Sequence, residues 1–278
     1  MAATARELII NFTPTGMITT KAVNPHVPIT TDEIIEDVRQ ACAVGITSVH
    51  LHARDEATGE PTHSAAVYER IITGVREFAP DLVICVSLSG RTWSEFEKRA
   101  EPLNLAGAAK PDMGSLTLSS LNFSRQASVN APDTIMQLAE RMKDRGIKPE
   151  LEAFDSGMIN YACYLAERAM IGPPHYFNLI LGSIACAQAD LLHVGVMIRD
   201  LPADSLWSAG GLGDRQLQMN SLAVAMGGGV RVGLEDSVWY DVARTSPARN
   251  QERDRLPWSD VDRSYRAGYT QMLGLRVL

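Results

Sequence analysis

Two histidines separated by a single residue are the first chemical signal in the sequence. His50 and His52 alternate with Val49 and Leu51, just before a run of turn-forming residues. In an extended strand, side chains two positions apart point to the same face, so both imidazoles would project together near a strand end. Such a pair suits one divalent metal ion. It fits equally well two polar residues on the wet face of a strand, so a third ligand elsewhere must decide.

A carboxylate near the end of the last predicted strand is the candidate for that third ligand. Arg231 and Glu235 lie four residues apart, on one face of this strand. Two imidazoles and one carboxylate form the ligand set of a catalytic zinc site, which keeps one position open for substrate or water. A helix N-cap or a surface acid is the other interpretation of Glu235, and Arg231 could offset its charge.

The elements that must position these residues are strands alternating with helices. The predicted strands span residues 8–13, 46–53, 82–88, 115–118, 150–154, 176–181, 206–209 and 230–234. The predicted helices span about 30–44, 65–78, 93–100, 133–145, 157–170, 184–196 and 214–226. Strict alternation implies a parallel sheet, and eight strands within about 240 residues favour the α/β class as a (β/α)8 TIM barrel. A doubly wound sheet fits less well.

The chain shows no internal division into domains. No linker rich in Gly, Ser or Pro and no repeat interrupts it. We therefore predict one barrel domain over residues 1–278, with a C-terminal helical extension from about residue 242 that includes a helix at 262–273.

Composition bounds the partners and the compartment. The net charge of -7 is spread without long blocks, which argues against nucleic acid as the main partner. No stretch approaches the roughly 18 apolar residues of a membrane helix, and the N-terminus lacks a targeting pattern. The four cysteines form no C-x-x-C pair, so we expect reduced thiols in a cytoplasmic protein without membrane contact.

Further polar side chains fall at the predicted strand ends. Strand three ends in Ser87, strand four carries Thr117, and strand five carries Glu150 and Glu152 on one face. Active sites of (β/α)8 barrels lie at the C-terminal ends of the strands, whereas the barrel interior is normally packed with branched apolar side chains. Several inward charges at one end therefore need a compensating ion or ligand.

Together these residues resemble the beta-keto acid cleavage enzyme family. The likeness runs from about residue 7 to 241 and rests on four segments, of which two are the most specific. These two are Val49-His-Leu-His-Ala-Arg-Asp55 and Gly229-Val-Arg-Val-Gly-Leu-Glu-Asp236. The other two are Thr13-Pro-Thr-Gly16 and the stretch from Ser115 to Phe123.

The resemblance implies a role for each matching residue. The implied zinc ligands are His50, His52 and Glu235. The implied catalytic and substrate-binding residues are Asp236 as the base, Arg231 assisting it, Glu152, Ser87, Thr117 and Thr13.

The resemblance also implies the reaction, a condensation of a β-keto acid with acetyl-CoA by an acyl-CoA-forming acyltransferase. Zinc would chelate the keto oxygen and the carboxylate, and so acidify the CH2 between them for proton removal. The enolate would attack the acetyl-CoA thioester, and a retro-Claisen step would release acetoacetate and a new acyl-CoA. A homo-oligomer is expected as well. One departure matters: Met17 and Ile18 stand where many members place an acid, which favours a neutral or apolar substrate side chain.

Two alternatives stay open. One is another metal-dependent C–C lyase on a barrel, such as an aldolase or a hydroxymethylglutaryl-CoA-like lyase. The other is a barrel that binds metal without turnover, because a fold alone does not confer function. The pair Arg231 and Asp236 disfavours the second, since a structural zinc ion needs no uncoordinated acid beside it.

Overall fold

Eight parallel strands close into a barrel in the computed structural model, which describes residues 8–238. Going around the barrel, the strands neighbour one another in chain order, and the last pairs with the first. The predicted (β/α)8 architecture is therefore confirmed. The strands are β1 (Ile10–Phe12), β2 (Ser48–Leu51), β3 (Val83–Val86), β4 (Met113–Thr117), β5 (Lys148–Ala153), β6 (His175–Leu181), β7 (Ser205–Gly211) and β8 (Gly229–Val232).

One α-helix follows each of the first seven strands, and two 3-10 helices, Glu101–Asn104 and Gly107–Ala109, come after the third α-helix. The helices are α1 (Thr31–Val44), α2 (Ala65–Arg76), α3 (Phe96–Ala100), α4 (Pro132–Arg145), α5 (Ser156–Glu167), α6 (Leu191–Asp200) and α7 (Gln216–Ala225). Helix α1 shows which local signals in the sequence mark the start and the end of a helix. The Thr30 hydroxyl accepts from the Glu33 N–H at 3.2 Å while the Glu33 carboxylate accepts from the Thr30 N–H at 3.1 Å, and left-handed Gly45 ends the helix.

Helix α6 begins later than predicted, at Leu191 rather than near residue 184. The Asp190 side chain caps it by accepting from the His193 N–H at 2.9 Å. The preceding apolar residues belong to the β6–α6 loop, where the Gly182 and Ala187 amides are bonded outside any helix. The predicted helix at 184–196 was wrong at its start because loop residues happened to continue the apolar spacing.

The second strand is also shorter than predicted and ends at Leu51. Residues Ala53–Arg54 instead pair antiparallel with Pro61–Thr62. The buried Arg54 guanidinium donates to the carbonyls of Gly59 at 2.9 Å and Thr19 at 2.6 Å. This arginine therefore ties the loop after β1 to the hairpin that follows His52, over the C-terminal end of the barrel.

The register of the sheet brings polar residues from different strands together. Thr117 on β4 is aligned with Glu152 on β5, and His50 on β2 is aligned with Cys85 on β3. Apolar side chains fill the space between strands and helices in one large core. Within residues 8–238, no helix is long and apolar enough to cross a bilayer. The predicted C-terminal extension lies outside the described residues.

Candidate metal centre

The three predicted metal ligands meet at the C-terminal end of the barrel. His50 lies in β2, His52 follows that strand directly, and Glu235 lies in the turn after β8. The Nε2 atoms of the two histidines are 3.3 Å apart, and Glu235 Oε1 is 3.1 Å from His52 Nε2. Glu235 Oε2 is 3.9 Å from His50 Nε2. Both imidazoles are buried, so the surface interpretation of this histidine pair was wrong.

These separations fit a single ion. With metal–nitrogen distances of about 2.0–2.1 Å, neighbouring ligand atoms of a tetrahedral site lie roughly 3.4 Å apart. The observed separations of 3.3, 3.1 and 3.9 Å bracket that value. Glu235 Oε2 is also buried without a hydrogen-bond partner, a state that costs free energy unless a cation compensates it. The separations of the donor atoms and the unpaired Glu235 oxygen therefore fit a metal site.

Glu150 supports the first histidine from behind. Its Oε2 is 2.5 Å from His50 Nδ1, and its Oε1 accepts from the Asn11 amide at 2.8 Å. Since a carboxylate accepts, His50 Nδ1 carries a proton, and Nε2 is the nitrogen directed at the ligand cluster. Cys85 Sγ also approaches this carboxylate, at 3.3 Å. A buried acid that orients a ligating imidazole is the usual second layer of a metal site.

The buried charged groups of the site shift one another's pKa values strongly. Burial lowers the pKa of His50, but the Glu150 and Glu235 carboxylates outweigh it and raise that pKa to about 9. Burial would raise the pKa of Glu150, yet His50 and Arg231 hold it well below its usual range. His52 behaves differently, because burial dominates and lowers its pKa. Without metal, the site thus holds extra positive charge at His50.

Arg231 on β8 organises the two acids that follow it. Its Nε donates to Asp236 Oδ2 at 2.7 Å, and its Nη2 lies 3.0 Å from Glu235 Oε1. Its Nη1 faces Glu152 at 3.9 Å. The side chain is only 1% exposed, so these are low-dielectric contacts. One guanidinium therefore holds Glu235 toward the histidines and Asp236 beside them.

Asp236 combines a buried carboxylate with access to the cavity. Burial raises its pKa, the neighbouring Glu235 adds to that rise, and Arg231 opposes it. Among the described residues, two groups of side chains have a geometry that could hold a metal, His50 with His52 and Glu235, and His50 with Cys85 and Glu150. Asp236 belongs to neither. An acid of raised pKa that lines a cavity and coordinates nothing suits proton transfer.

A cavity of about 790 Å³ opens above these residues. The predicted site residues on its wall are His52, Ser87, Thr117, Glu152, Arg231, Glu235 and Asp236. The Thr117 hydroxyl donates to Glu152 Oε2 at 2.6 Å. The structure thus gathers residues from five strands at one opening.

Two predicted site residues do not line the cavity, namely the metal ligand His50 and Thr13. Thr13 is fully buried at the end of β1, and its carbonyl accepts from the Glu235 N–H at 3.2 Å. Gly16 lies so close that a Cβ there would be 2.4 Å from Glu235 Cγ. The Thr13–Gly16 segment therefore supports the backbone and side chain of Glu235, and it does not line the described cavity.

Sequence reasoning missed two contributors. Glu150 was placed on the same face as Glu152 but received no role, although its position two residues earlier was a usable signal. Arg91, two residues after Ser89, lines the cavity and was not singled out. A charged residue in the loop after a barrel strand is the signal that could have found it.

Fold and site together define a (β/α)8-barrel protein with a candidate metal centre at the C-terminal ends of its strands. Residues 7–253 match the model of the beta-keto acid cleavage enzyme family. The chain belongs to this family, and the resemblance and the prediction of an enzyme are confirmed.

Characterised relatives cover most of the chain. It is 36% identical over 237 residues to the 3-keto-5-aminohexanoate cleavage enzyme of Fusobacterium nucleatum, covering 84% of each chain. It is 35% identical to the 3-oxoadipate:acetyl-CoA acetyltransferase of Cupriavidus necator, covering 86% of this chain and 84% of that one. The solved complex of ObcA with oxaloacetate shares the fold, with a TM-score of 0.76 over 91% of this chain and 65% of that one, at 20% identity.

Proposed function

We propose that this protein is a zinc-dependent enzyme that condenses a β-keto acid with acetyl-CoA to give acetoacetate and a new acyl-CoA. The observation that carries the proposal is the His50, His52 and Glu235 cluster beside an independently held Asp236. Relatives named for cleaving a keto acid and for acetyl-CoA-dependent transfer support the same reaction class.

Zinc is the metal we infer from the donor set. Two imidazole nitrogens and one carboxylate with a free fourth position are typical of catalytic zinc. The chemistry supplied at these ligands is Lewis acidity, which polarises a carbonyl oxygen and acidifies the neighbouring CH2. Elemental analysis should find one equivalent per chain, and the double variant His50→Ala/His52→Ala should lose it.

Asp236 acts as the base in this proposal. One of its carboxylate oxygens takes a proton from the CH2 between the keto group and the carboxylate of the substrate. Arg231 keeps Asp236 in place through the 2.7 Å contact and stabilises its charged form before the transfer. The electron pair left on carbon attacks the thioester carbonyl of acetyl-CoA. The C–S bond of the adduct then breaks, and the CoA thiolate adds to the original keto carbonyl. Cleavage of the C–C bond between that carbon and the former CH2 gives the new acyl-CoA, and the acetoacetate carbanion takes back the proton from Asp236.

Hydroxyl and carboxylate groups on the wall hold the substrate. We assign the substrate carboxylate to the Ser87 hydroxyl, and we place Thr117 beside the substrate as an acceptor, since both residues line the cavity next to the ligand cluster. Glu152 accepts from the Thr117 hydroxyl and so fixes its orientation. Thr13 contributes indirectly, by positioning the Glu235 backbone.

The direct test is a screen of β-keto acids with acetyl-CoA and zinc-loaded protein, with acetoacetate as the measured product. We expect acetoacetate only when the keto acid, acetyl-CoA and metal are all present. Absence of acetoacetate across the panel would overturn the proposal and favour a barrel that binds metal without turnover. Equal formation by metal-free protein would overturn the role assigned to zinc.

Two further expectations concern the state of the protein. The free thiols of all four cysteines fit a reducing cytoplasm, where we place it. We also propose a homo-oligomer, as the family resemblance implies. A monomeric mass in light scattering would contradict this assembly.

A further inference from the structure

Arg91 places a guanidinium group in the wall of the same cavity as the metal ligands. It follows the Ser89-Gly90 turn after β3 and lines the cavity together with His52 and Glu235. Its Cζ lies 3.6 Å from the centroid of the Phe123 ring. Stacking on an aromatic face limits the freedom of the side chain, so the charged group is held ready for a ligand.

In the part of the chain that the structure describes, this guanidinium has no counter-ion of its own. Within residues 8–238, no carboxylate lies within 4.0 Å of its nitrogens, and none of its side-chain N–H groups has a protein acceptor. Burial lowers its pKa, and Glu235, Glu152 and Asp236 act on it only as more distant charges. The buried arginines differ, since Arg54 donates to Thr19 O at 2.6 Å, Arg99 donates to Leu88 O at 2.8 Å and Arg231 is paired with acids.

A partly buried guanidinium without a counter-ion among the described residues is suited to bind an anion. Its planar N–H fork matches a carboxylate with two parallel hydrogen bonds. The reacting end of a β-keto acid is already provided for by the ligand cluster with Ser87 and Thr117. The remaining wall includes the apolar Met17 and Ile18, and its exposed Glu60 carboxylate acts on Arg54.

We propose that Arg91 binds a second carboxylate at the far end of the substrate, so that the preferred substrates are dicarboxylic β-keto acids. This inference rests on the proposed function and names its substrate class. It replaces the neutral side chain expected from Met17 and Ile18 alone, because those residues supply no counter-charge to a cation and do not oppose an anion.

The same chemistry has a second source, a phosphate of CoA, and the experiment separates the two. Arg91→Gln removes the charge, and Arg91→Lys keeps the charge without the fork. Arg168→Gln is the matched control, since Arg168 stacks on Tyr164 at the same 3.6 Å but lies outside the cavity. The substrates are 3-oxoadipate and 3-oxohexanoate, which differ only in the distal carboxylate, and KM for acetyl-CoA is measured with each.

We expect the kcat/KM ratio of 3-oxoadipate to 3-oxohexanoate to fall by about 10- to 100-fold in Arg91→Gln, the range of charge-assisted hydrogen bonds. Arg91→Lys should retain part of the preference, and Arg168→Gln all of it. An unchanged ratio in Arg91→Gln overturns the proposal. A raised KM for acetyl-CoA with an unchanged ratio does so too, and assigns Arg91 to a CoA phosphate.

Calorimetry keeps this test independent of turnover. Adipate and hexanoate, which lack the keto group, are titrated into zinc-loaded parent and Arg91→Gln protein. The parent should bind adipate more tightly, and Arg91→Gln should lose that difference. If no acetoacetate forms but adipate binding still depends on Arg91, the proposed reaction fails while the anion site stands. If adipate and hexanoate bind alike, or neither binds, the anion site fails.

Discussion

Replacing Glu150 by glutamine tests whether the second layer of the site governs metal affinity. The two oxygens of Glu150 each accept a hydrogen bond, one from His50 Nδ1 at 2.5 Å and one from the Asn11 amide at 2.8 Å. Glutamine offers one acceptor oxygen, so either orientation of its amide directs an NH2 group at a donor. The variant therefore loses a charge-assisted bond to His50 or disturbs the anchor that positions the side chain.

The expected effect is a 10- to 100-fold lower affinity for zinc, the usual range for second-layer partners of a ligating histidine. This corresponds to about 1.4–2.7 kcal/mol. The fold should survive, because glutamine nearly matches the volume of the acid it replaces. The loss of zinc affinity would therefore come from His50, because a carboxylate no longer fixes its Nδ1 proton and its ring orientation.

Competition with a chelator of known affinity measures the change, with circular dichroism confirming that the variant is folded. Glu101→Gln is the matched control, since Glu101 makes the same 2.5 Å contact with His63 Nδ1 away from the ligand cluster. It should leave zinc affinity unchanged. A Glu150→Gln protein that binds zinc within about threefold of the parent would refute the assignment of Glu150 to the second layer.

Two further substitutions test the ligand set and the base. Glu235→Gln should lower bound metal together with activity, whereas Asp236→Asn should keep its zinc and form acetoacetate ~100-fold more slowly or worse. Elemental analysis and steady-state rates separate the two, and loss of metal from Asp236→Asn would contradict the division of roles. Gly16→Ala sets a Cβ 2.4 Å from Glu235 Cγ, so zinc affinity should drop about 10-fold with the fold intact. The control Gly195→Ala, whose methyl group meets no atom within 4 Å, should not change it.

Much of the barrel was readable because local signals agreed with the global pattern. Apolar strands, capping residues and glycine stops recur in the order that a (β/α)8 barrel needs, and α1 carries both a capping box and a left-handed Gly45. The start of α6 was missed because periodicity alone cannot tell a loop that packs on the barrel from a helix. The cap at Asp190 was the signal that should have outweighed the apolar residues before it.

The candidate site was predictable to the extent that it lies on strands. The period of two placed His50 with His52 and Arg231 with Glu235, and strand ends in a barrel converge on one opening. Arg91 lies in a loop, whose path depends on tertiary contacts such as the Phe123 ring, so spacing gave no hint of its direction. Thr13 shows the opposite error, because sharing a motif with site residues does not mean lining the cavity.

Charge balance explains why these residues occur together. The Arg231 guanidinium lies within 4.0 Å of four carboxylates, those of Glu150, Glu152, Glu235 and Asp236. One cation cannot balance four anions in a buried site, where each like-charge pair about 4 Å apart costs roughly 4 kcal/mol even at an effective dielectric of 20. Positive charge on His50 offsets part of the excess in the absence of metal. A divalent ion at the histidine–glutamate cluster would offset the rest, and Arg231 would remain free to hold Asp236 as an uncoordinated base. The four acids around one guanidinium are therefore an electrostatic reason to expect a cation at this cluster.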